Sequence, residues 1–356
     1  MSSKKRIFIS PLDWGLGHAT RCIPVIKALI KKDAEVIIGA EGISFDLLSR
    51  EFPKLPFIKF PGYQIKYSKN GNMLWQMAKL SPKIINSIRI ENRYLKEIVA
   101  AHRIDGIISD NRYGLYHNRI PSAFITHQLY IKSPFGEKLL KKINKFFIEK
   151  HLECWIPDFD NPQKALSGEL SHPGDLTSNI KFIGPLSRFS NKYELVNNKY
   201  ELLVILSGPE PQRSIFEKLI LNQLQTIDIK TLVVLGNPSL HKNKKIGKIE
   251  IINHLPTEKL QIAINQSEIV LARSGYTTVM DLASLGKKAI LIPTPGQTEQ
   301  QYLAELHMHK GNCVIGKQKS FSLNKLLEKA HKIRGFEKTK ATEIMDYCIT
   351  EFLNKI

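Results

Sequence analysis

Three observations predict an α/β protein built from two doubly wound domains. The chain has 356 residues, enough for two domains with their own cores at about 100–200 residues each. Short apolar segments rich in β-branched residues alternate with helix-period segments, which is typical of parallel βαβ units. The alternation runs in two blocks, separated by a stretch from Asp158 to Lys199 that is rich in Pro, Gly, Asn and Ser.

The first block begins with a strand and a helix whose apolar face carries Ile23, Ile26, Leu29 and Ile30. A long helix is predicted from about Asn72 to His102. Because the strands are almost continuously apolar, we expect a sheet that is covered on both faces. The predicted strands are RIFIS (6–10), EVIIGA (35–40), FIKF (57–60), GIISD (106–110) and SAFIT (122–126), and KFIGPLSRF (181–189) is a last strand that runs into a linker.

The second block repeats the pattern and sets the predicted domain limits. Its strands are LLVILS (202–207), TLVVLG (231–236), IEIINHL (249–255), IVLARS (269–274) and AILIPT (289–294). We expect an N-terminal domain over residues 1–185, a linker over 186–199 and a C-terminal domain over 200–335. A helix over 336–356 can pack back on the N-terminal domain. Ligand crevices are expected at the carboxyl ends of the strands of each sheet.

The composition indicates a cytoplasmic protein without a structural metal. The apolar fraction is 42% and the charged fraction 24%, and the apolar runs are too short for a membrane span or a signal-peptide core. Four scattered cysteines without CxxC or Cys/His spacing argue against a disulfide framework.

The chain is strongly basic, with 52 Lys and Arg against 33 Asp and Glu and a net charge of +19. Such an excess attracts polyanions, anionic lipid or phosphorylated substrates, but a solvated basic surface explains it equally well. A nucleic-acid-binding protein is the alternative from another class. It predicts aromatic residues spread over basic surfaces or a known binding module, and neither is visible, so no nucleic-acid partner is expected.

The segment from Ala272 to Ala304 predicts a site for a nucleotide diphosphate. It has the order strand, Ser-Gly, helix, strand, loop, helix. Gly275 permits a sharp turn, and the backbone N–H groups of the following helix start form a positive end that binds phosphate. Asp281, one turn further, can accept both hydroxyls of a ribose, and the next loop ends in Gln300 and Gln301, which suit a sugar ring.

This segment resembles the C-terminal nucleotide-sugar module of MurG-like, family 28 type glycosyltransferases, which adopt the GT-B fold of two Rossmann-like domains facing across a cleft. The resemblance implies that Asp281 holds the ribose, that Thr277 and Thr278 hold the diphosphate, and that Leu255 offers a backbone group to uracil. Gln300 and Gln301 would hold the donor sugar. The residues implied in donor binding are Ser207, Leu255, Arg273, Ser274, Gly275, Tyr276, Thr277, Thr278, Asp281, Gln297, Gln300 and Gln301.

One loop departs from the pattern of this family. SGPEPQR (207–213) stands where the family has a Gly-Gly-Ser loop, but its two prolines remove N–H donors. Its contact with phosphate is therefore in doubt.

The loop DWGLGHATR (13–21) lies between the first strand and the first helix. Gly15 and Gly17 allow a tight turn and a close approach of a ligand. As a dinucleotide fingerprint the loop fails, because Thr20 occupies the third glycine position, although Glu41 after the second strand keeps an NAD-binding alternative open.

The same loop resembles the acceptor-side loop of GT-B enzymes and the GxGHxxR loop of the UDP-sugar hydrolase of pseudaminic acid synthesis. The chain is also similar to an uncharacterised prokaryotic GT-B group. That group carries GxGHxxR, an Asp after the fourth strand and His-Gln after the fifth, here Arg21, Asp110, His127 and Gln128. The resemblance implies that Gly15, Gly17, Arg21 and His127 belong to the acceptor side.

His18 is the candidate catalytic base. A helix start favours a neutral imidazole, and glycosyl transfer to a hydroxyl requires a group that takes its proton. We expect Asp110, at the end of a strand, to orient His18 as the third member of a triad does, with Asp13 as a competing candidate. His127 either contacts a substrate or is a buried structural residue.

Two further segments have open interpretations. Asp158-Phe159-Asp160 reads as DxD, the metal motif of another glycosyltransferase fold, but its position before the linker favours a turn, and neither a metal nor another cofactor is expected. The basic segment from Lys132 to Lys150 places Leu139, Ile143, Phe146 and Phe147 on one face. That face either packs on the core or docks on an anionic membrane surface.

The predicted function is inverting, metal-independent transfer of a sugar from a UDP-sugar to a small-molecule, lipid-linked or glycan acceptor of the cell envelope. UDP-sugar hydrolysis is the alternative enzyme. The expected location is the cytoplasm, with a peripheral site on the inner face of the plasma membrane.

Overall fold

A computed structural model divides the chain into two compact α/β units. Unit 1 comprises Met1–Leu186 and Ala341–Ile356, and unit 2 comprises Ser187–Lys340. The structure describes residues 4–13, 16–62, 73–130, 137–174, 179–189, 198–208, 210–236, 243–339 and 342–356, without the side chains of residues 73–84, 137–140 and 342. Gly15, Pro209 and the first part of the basic segment, 132–136, lie outside the described residues.

Unit 1 contains a sheet of seven parallel strands in the described part of the chain, in the order β3-β2-β1-β4-β5-β6-β7. The central strands β1 and β4 are almost completely buried, as their apolar sequences predict. The strands are β1 (Arg6–Pro11), β2 (Glu35–Ala40), β3 (Phe57–Lys59), β4 (Gly106–Asp110), β5 (Ser122–Ile125), β6 (Glu153–Ile156) and β7 (Ile180–Phe182).

Strand β6 is absent from the sequence prediction because a glutamate begins it and shortens the apolar run. Glu153 is nonetheless buried, since Trp155 Nε1, Lys181 Nζ and Lys355 Nζ all reach its carboxylate, at 2.7, 2.8 and 2.7 Å. These partners come from β6, β7 and the C-terminal end of the chain, so only the folded unit satisfies the charge.

The helices of unit 1 cover the sheet and include the C-terminal helix. Their bounds are α1 (Leu16–Lys31), α2 (Gly42–Glu51), α3 (Met73–His102), α4 (Glu137–Ile148) and α10 (Thr342–Asn354). Helix α10 buries Ile349 and Phe352 in the same core cluster as β1 and α1, and the Phe352 ring lies edge-on to Trp155 with centroids 5.4 Å apart. Residues 336–339, which the prediction included in this helix, are not helical.

Unit 2 contains a second seven-stranded sheet within the described ranges, in the order β10-β11-β9-β8-β12-β13-β14, in which only the β10–β11 pair is antiparallel. Its strands are β8 (Tyr200–Ile205), β9 (Thr231–Val234), β10 (Lys244–Ile246), β11 (Ile249–Ile252), β12 (Ser267–Ala272), β13 (Lys288–Leu291) and β14 (Cys313–Ile315). Strands β10 and β14 escaped prediction because each has three residues and lies at a sheet edge.

The helices of unit 2 follow its strands in the order expected of βαβ units. They are α5 (Gln212–Leu224), α6 (Thr257–Asn265), α7 (Tyr276–Leu285), α8 (Thr298–His309) and α9 (Leu323–Lys332). Helix α7 ends at Gly286, whose φ of 64° is the left-handed conformation that glycine adopts readily at a helix end.

In helix α4, the apolar residues that the sequence places on one face divide between the core and the surface. Asn144 and Ile148 are buried, and Phe147 packs on Tyr113 with ring centroids 4.8 Å apart. Ile143 and Phe146 are 42% and 56% exposed. Asn144 faces inward because its Nδ2 donates to the carbonyl of Gln128 and its Oδ1 accepts from the Tyr113 hydroxyl, which turns the two apolar residues outward.

Candidate active site

The carboxyl end of the unit 1 sheet brings together residues that are distant in sequence. Pro11 of β1 lies beside Asp110 of β4, and Asp110 lies beside Ile125 of β5. His127 comes two residues after Ile125, and His18 stands in the first turn of α1, shortly after β1. Since parallel strands end at one edge of a sheet, these side chains converge there.

His18 and Asp110 form the pair that the sequence predicts. His18 Nδ1 lies 3.1 Å from Asp110 Oδ1, with the His18 side chain 16% exposed and that of Asp110 completely buried. Burial by itself would raise the pKa of Asp110, but the charge of Arg21 and contact with His18 overcome it and hold the pKa well below its usual range. The carboxylate is therefore ionised at neutral pH. Asp13, the competing candidate, lies against Gly62.

Arg21 lies at the centre of this group of residues rather than at its margin. It is buried, and its Nε donates to Asp110 Oδ2 at 3.2 Å while one terminal nitrogen donates to Asp110 Oδ1. The other terminal nitrogen lies 2.7 Å from Nδ1 of the buried His127. The structure thus joins four predicted site residues in one network, and the backbone of Gly17 accepts a bond from Thr20 at the start of the same helix.

Arg112 and Glu91 support this end of the sheet and were not predicted. Arg112 is completely buried and donates to the carbonyls of Pro11 and Pro61, at 2.7 and 2.8 Å, and to Glu91, at 2.5 Å. These bonds hold the chain after β1 and after β3. The only sequence signal was the position of Arg112 two residues after Asp110, which by itself does not separate a supporting residue from a surface arginine.

In unit 2, the start of α7 has the features of an anion site. Gly275 precedes the helix and has no side chain to cap it, and the first turn holds no acidic residue. A Cβ atom on Gly275 would meet no described atom within 4 Å, so no described side chain fills the space beside the glycine. Tyr276 is buried, while Thr277 and Thr278 are half-buried. The helix start thus combines positive polarity with room for a ligand.

Arg273, a predicted donor-binding residue, makes contacts within unit 2. Its guanidinium is buried, stacks 3.9 Å above the Phe216 ring and donates to Gln318 Oε1 at 2.6 Å and to the carbonyl of Ile292 at 3.1 Å. Burial lowers the pKa of Arg273 to about 10, which leaves it charged at neutral pH. The two terminal nitrogens of Arg273 therefore brace the loops after β13 and around Gln318, whereas its Nε is buried with no hydrogen-bond partner among the described residues.

The predicted sugar contacts lie at a loop that has hydrogen bonds of its own. Ser274 Oγ donates to the carbonyl of Gln300, and the Gln300 side chain accepts from Thr294 N at 2.8 Å and donates to Gln297 Oε1 at 2.6 Å. These polar groups fix the loop before α8, whereas Gln301 is exposed. The Thr294 hydroxyl is buried with no hydrogen-bond partner among the described residues, so it is an unpredicted candidate for contact with a ligand.

Asp281 occupies its predicted place in α7 but already has protein partners. Its Oδ1 accepts from the Ser187 hydroxyl at 2.6 Å, and its Oδ2 lies 3.6 Å from Arg188 Nε. Burial raises the pKa of Asp281, and the nearby Arg188 opposes the rise. A ribose bound at this carboxylate would have to share it with Ser187 or replace its hydroxyl.

The loops after β8 and β11 carry the remaining predicted donor residues. Ser207 and Leu255 are half-buried and follow these strands directly. On either side of Leu255, Asn253 Nδ2 and Thr257 Oγ1 are buried and have no hydrogen-bond partner among the described residues. Unsatisfied buried polar atoms at a strand end mark positions that a ligand or water can satisfy, and no pattern in the sequence pointed to them.

Asp158 of the DxD sequence organises a loop. Its carboxylate accepts from the backbone N–H groups of Phe159, Leu166 and Ser167, at 2.8–2.9 Å, and from the Ser171 hydroxyl at 3.1 Å. Within the described ranges, no group of three or more His, Cys, Asp or Glu side chains is arranged to hold a metal ion. Among the same residues, no helix is long and apolar enough to cross a bilayer.

Comparison with known proteins identifies the class. Residues 217–352 match the family model described as glycosyltransferase family 28 C-terminal domain. An uncharacterized glycosyltransferase of Methanosarcina acetivorans is 24% identical over 334 residues, covering 86% of this chain and 84% of the relative.

Two further similar proteins are a named N-acetylglucosamine transferase and MurG. The UDP-N-acetylglucosamine–N-acetylmuramyl-(pentapeptide) pyrophosphoryl-undecaprenol N-acetylglucosamine transferase of Buchnera aphidicola is 25% identical over 336 residues, covering 92% of this chain and 88% of that enzyme. The crystal structure of Acinetobacter baumannii MurG superposes with a TM-score of 0.56 at 14% identity, over 98% of this chain and all of the other.

The two α/β units and these similarities define the chain as a glycosyltransferase with the GT-B fold. More particularly, it resembles the MurG-like, family 28 type glycosyltransferases, whose C-terminal domain model matches residues 217–352.

Proposed function

We propose that this enzyme transfers a hexose-type sugar from a UDP-sugar to a hydroxyl group of a cell-envelope lipid or glycan, with inversion and without a metal. The observation that carries the proposal is the 3.1 Å contact between His18 Nδ1 and the buried, ionised Asp110. A carboxylate in this position orients the imidazole and stabilises the proton that it takes up during the reaction.

The proposed reaction is a single displacement. The acceptor oxygen attacks the anomeric carbon and forms the new bond, while the bond from this carbon to the phosphate oxygen breaks and UDP departs with the electron pair. The acceptor proton moves to Nε2 of His18. One displacement inverts the configuration, so no covalent intermediate is needed.

The start of α7 is proposed to stabilise the departing diphosphate. Its positive polarity and the open space beside Gly275 favour an anion at this place, with Thr277 and Thr278 near it. This field acts where a metal ion acts in other transferases, which is the physical basis for proposing a metal-independent reaction. Asp281 is proposed to bind the ribose, with the ribose hydroxyls replacing the Ser187 hydroxyl.

Two observations favour UDP as the nucleotide. The Buchnera relative carries UDP-N-acetylglucosamine in its name. Beside Leu255, the buried Asn253 amide can donate to a carbonyl of a pyrimidine, and the Thr257 hydroxyl can donate or accept a second bond. These two side chains extend the backbone contact that the resemblance implies for Leu255.

The acceptor side is proposed to work at an anionic membrane surface. On α4, the exposed Ile143 and Phe146 stand beside the exposed Lys142 and Lys145, and we call these four residues the α4 patch. Apolar side chains ringed by lysines suit a bilayer interface with anionic lipid. The name of the Buchnera relative contains a pyrophosphoryl-undecaprenol acceptor, which favours a lipid-linked acceptor and a place on the inner face of the plasma membrane.

The test is turnover with a panel of nucleotide sugars, each with and without membrane lipid extract, followed by mass spectrometry of released nucleotide and glycosylated product. His18→Ala and Asp110→Asn are expected to lower kcat by about 100-fold or more, since each removes base catalysis, while UDP affinity stays within about two-fold. The configuration at the anomeric carbon of the product, compared with that of the donor by NMR, shows whether the transfer inverts it.

His102→Ala is the matched control, because His102 is exposed at the end of α3 in the same unit. Its turnover should equal that of the wild type. Wild-type turnover that survives His18→Ala would contradict the proposed base. Free sugar released at the same rate with and without acceptor would instead indicate a UDP-sugar hydrolase, and activity lost in EDTA and restored by magnesium would contradict metal independence.

A further inference from the structure

Arg21 makes more contacts to the candidate catalytic pair than any other described side chain. It follows His18 by one helical turn and is only 2% exposed. Its guanidinium binds both oxygens of Asp110, reaches Nδ1 of His127 at 2.7 Å and lies 3.0 Å from Nδ1 of His18. One side chain therefore contacts His18, Asp110 and His127, and Asp110 is also in contact with Cys22.

The hydrogen-bond chemistry fixes where the protons reside. A guanidinium has only donors, so Nδ1 of His127 must accept from Arg21, and the ring proton of a neutral His127 stands on Nε2. Nδ1 of His18 lies within reach of both the Asp110 acceptor and the Arg21 donor but can serve only one of them. Because a bond donated to the ionised Asp110 carboxylate is charge-assisted and the stronger of the two, we assign the His18 proton to Nδ1, which leaves Nε2 as the basic atom.

The charges of Arg21 and Asp110 cancel in a place that excludes water. Asp110 is 0% exposed and Arg21 2% exposed, so an unbalanced charge on either would be costly. Without Arg21, His18 would be the contact of Asp110 that can still carry a positive charge. Protonation of its imidazole would then neutralise the carboxylate. A protonated imidazole cannot accept a proton from an acceptor hydroxyl.

The groups on neighbouring elements do not replace this balance. The thiol of Cys22 lies 3.5 Å from Asp110 Oδ2, and burial raises its pKa, so it stays neutral. Arg112, beyond β4, is committed to Glu91. Among the charged residues of α1 and of the elements that pack on it, Arg6 pairs with Glu35, Lys27 with Glu51 and Lys31 with Asp346. The other charged residues of α2 and α10 include Asp46, Arg50, Glu343 and Glu351.

We propose that Arg21 is a positioning residue that neutralises Asp110, so that His18 remains an uncharged base at neutral pH with its proton directed to Asp110. Arg21 also holds His127 neutral, since a protonated His127 would place two cations in contact. The inference rests on the proposed role of His18 and adds the group that determines the pH range in which this base works.

The test follows kcat/KM against pH for the wild type, Arg21→Met and Arg21→Lys. Arg21→Met should lose about ten-fold or more at neutral pH and recover at alkaline pH, because its acidic limb moves up by about one pH unit. Arg21→Lys keeps the charge but not the forked geometry, so its limb should stay within about 0.3 pH unit of the wild type with a lower kcat. Arg6→Met removes an arginine–carboxylate pair at the other end of β1 and should leave the profile unchanged.

Titration of the His18 ring by NMR in the ligand-free enzyme separates this inference from the proposed function. A higher titration midpoint in Arg21→Met supports the inference even if no sugar is transferred, whereas turnover with an unmoved midpoint contradicts it. If Arg21→Met does not fold, the double variant Arg21→Met/Asp110→Asn removes both charges. The acidic limb of its kcat/KM profile and the titration midpoint of His18 should then return to the wild-type position. An equal loss of activity at every pH in both Arg21 variants would overturn the proposal.

Discussion

At the scale of single residues, three buried aspartates show that surroundings decide what a carboxylate does. Asp110 faces a guanidinium and an imidazole, which makes it part of a proton-handling group. Asp158 accepts from backbone N–H groups and hydroxyls and holds a loop. Asp281 accepts from the Ser187 hydroxyl at the start of unit 2. All three were conspicuous in the sequence, yet their partners come from residues that are far away or unremarkable in it.

A buried histidine predicts acid sensitivity of the fold. His151 is 4% exposed, and burial lowers its pKa to about 3. Above its ordinary value of 6.5 both folded and unfolded chains carry it neutral, but as pH falls below that value only the unfolded chain takes up the proton. The free energy of unfolding should therefore fall by up to about 1.4 kcal/mol for each pH unit on this account.

Urea unfolding at a series of pH values measures this effect. Between about pH 6.5 and pH 5 the wild type should lose on the order of 2 kcal/mol more than His151→Gln, in which the titrating group is absent. His102→Gln, at an exposed position, should keep the wild-type slope. Equal slopes in all three proteins would show that His151 does not resist protonation.

At the scale of elements, a substitution at the start of α7 should change ligand binding without changing helix stability. Gly275→Asp places a carboxylate where a Cβ has open space and where Asp is a favourable helix cap, so the fold should keep its stability. The same charge repels a diphosphate, and UDP affinity should fall by about ten-fold or more. Isothermal calorimetry with UDP and thermal unfolding measure the two quantities.

Ser322→Asp is the control for Gly275→Asp, since Ser322 precedes α9 in the same unit and makes no capping bond with its side chain. This variant should bind UDP as the wild type does. Unchanged UDP affinity in Gly275→Asp would place the diphosphate elsewhere.

The α4 patch predicts that helix α4 contributes to binding of anionic membranes. Phe146→Ser, or Ile143→Ser, should reduce sedimentation with anionic liposomes by about ten-fold at low salt, because each removes apolar area that can enter the interface. Ile344→Ser is a matched control, because Ile344 lies in α10 of the same unit and is 41% exposed, against 42% for Ile143. Equal binding by all variants, or binding insensitive to salt, would contradict the membrane role.

At the scale of the whole molecule, the C-terminal helix completes the core of the unit that begins the chain. Phe352 is fully buried against Trp155, and Lys355 and Lys181 neutralise Glu153. Phe352→Ala should lower the free energy of unfolding of unit 1 by about 3–5 kcal/mol, as for other large core truncations. Trp155 fluorescence during urea unfolding reports this change.

Tyr347→Ala on the same helix is the control, because Tyr347 is 66% exposed. Its unfolding midpoint should stay close to that of the wild type. If Phe352→Ala unfolds like Tyr347→Ala, α10 contributes little to the stability of unit 1.

The sequence predicted the architecture well because most of its strands have a recognisable local pattern of apolar residues. Central strands such as β1, β4 and β12 are continuous apolar runs buried on both faces, so composition alone locates them. Short edge strands and β6, whose buried glutamate needs partners from three places, carry no such local pattern. The sequence left open which side of α4 faces the core, because Asn144, a polar residue, determines it.

By itself, the sequence determined the α/β fold and predicted the pairing of His18 with Asp110, because these depend on local apolar patterns and on residues at strand ends, whose common edge is fixed by topology. The glycosyltransferase class followed from the resemblance of its motifs to those of a known family. Only the tertiary structure decided that the charge of Arg21 neutralises Asp110, that Arg273 and Gln300 brace loops, and that the Ser187 hydroxyl donates to Asp281. Those roles depend on which donors and acceptors meet in a water-excluded place, and a linear pattern does not specify such meetings.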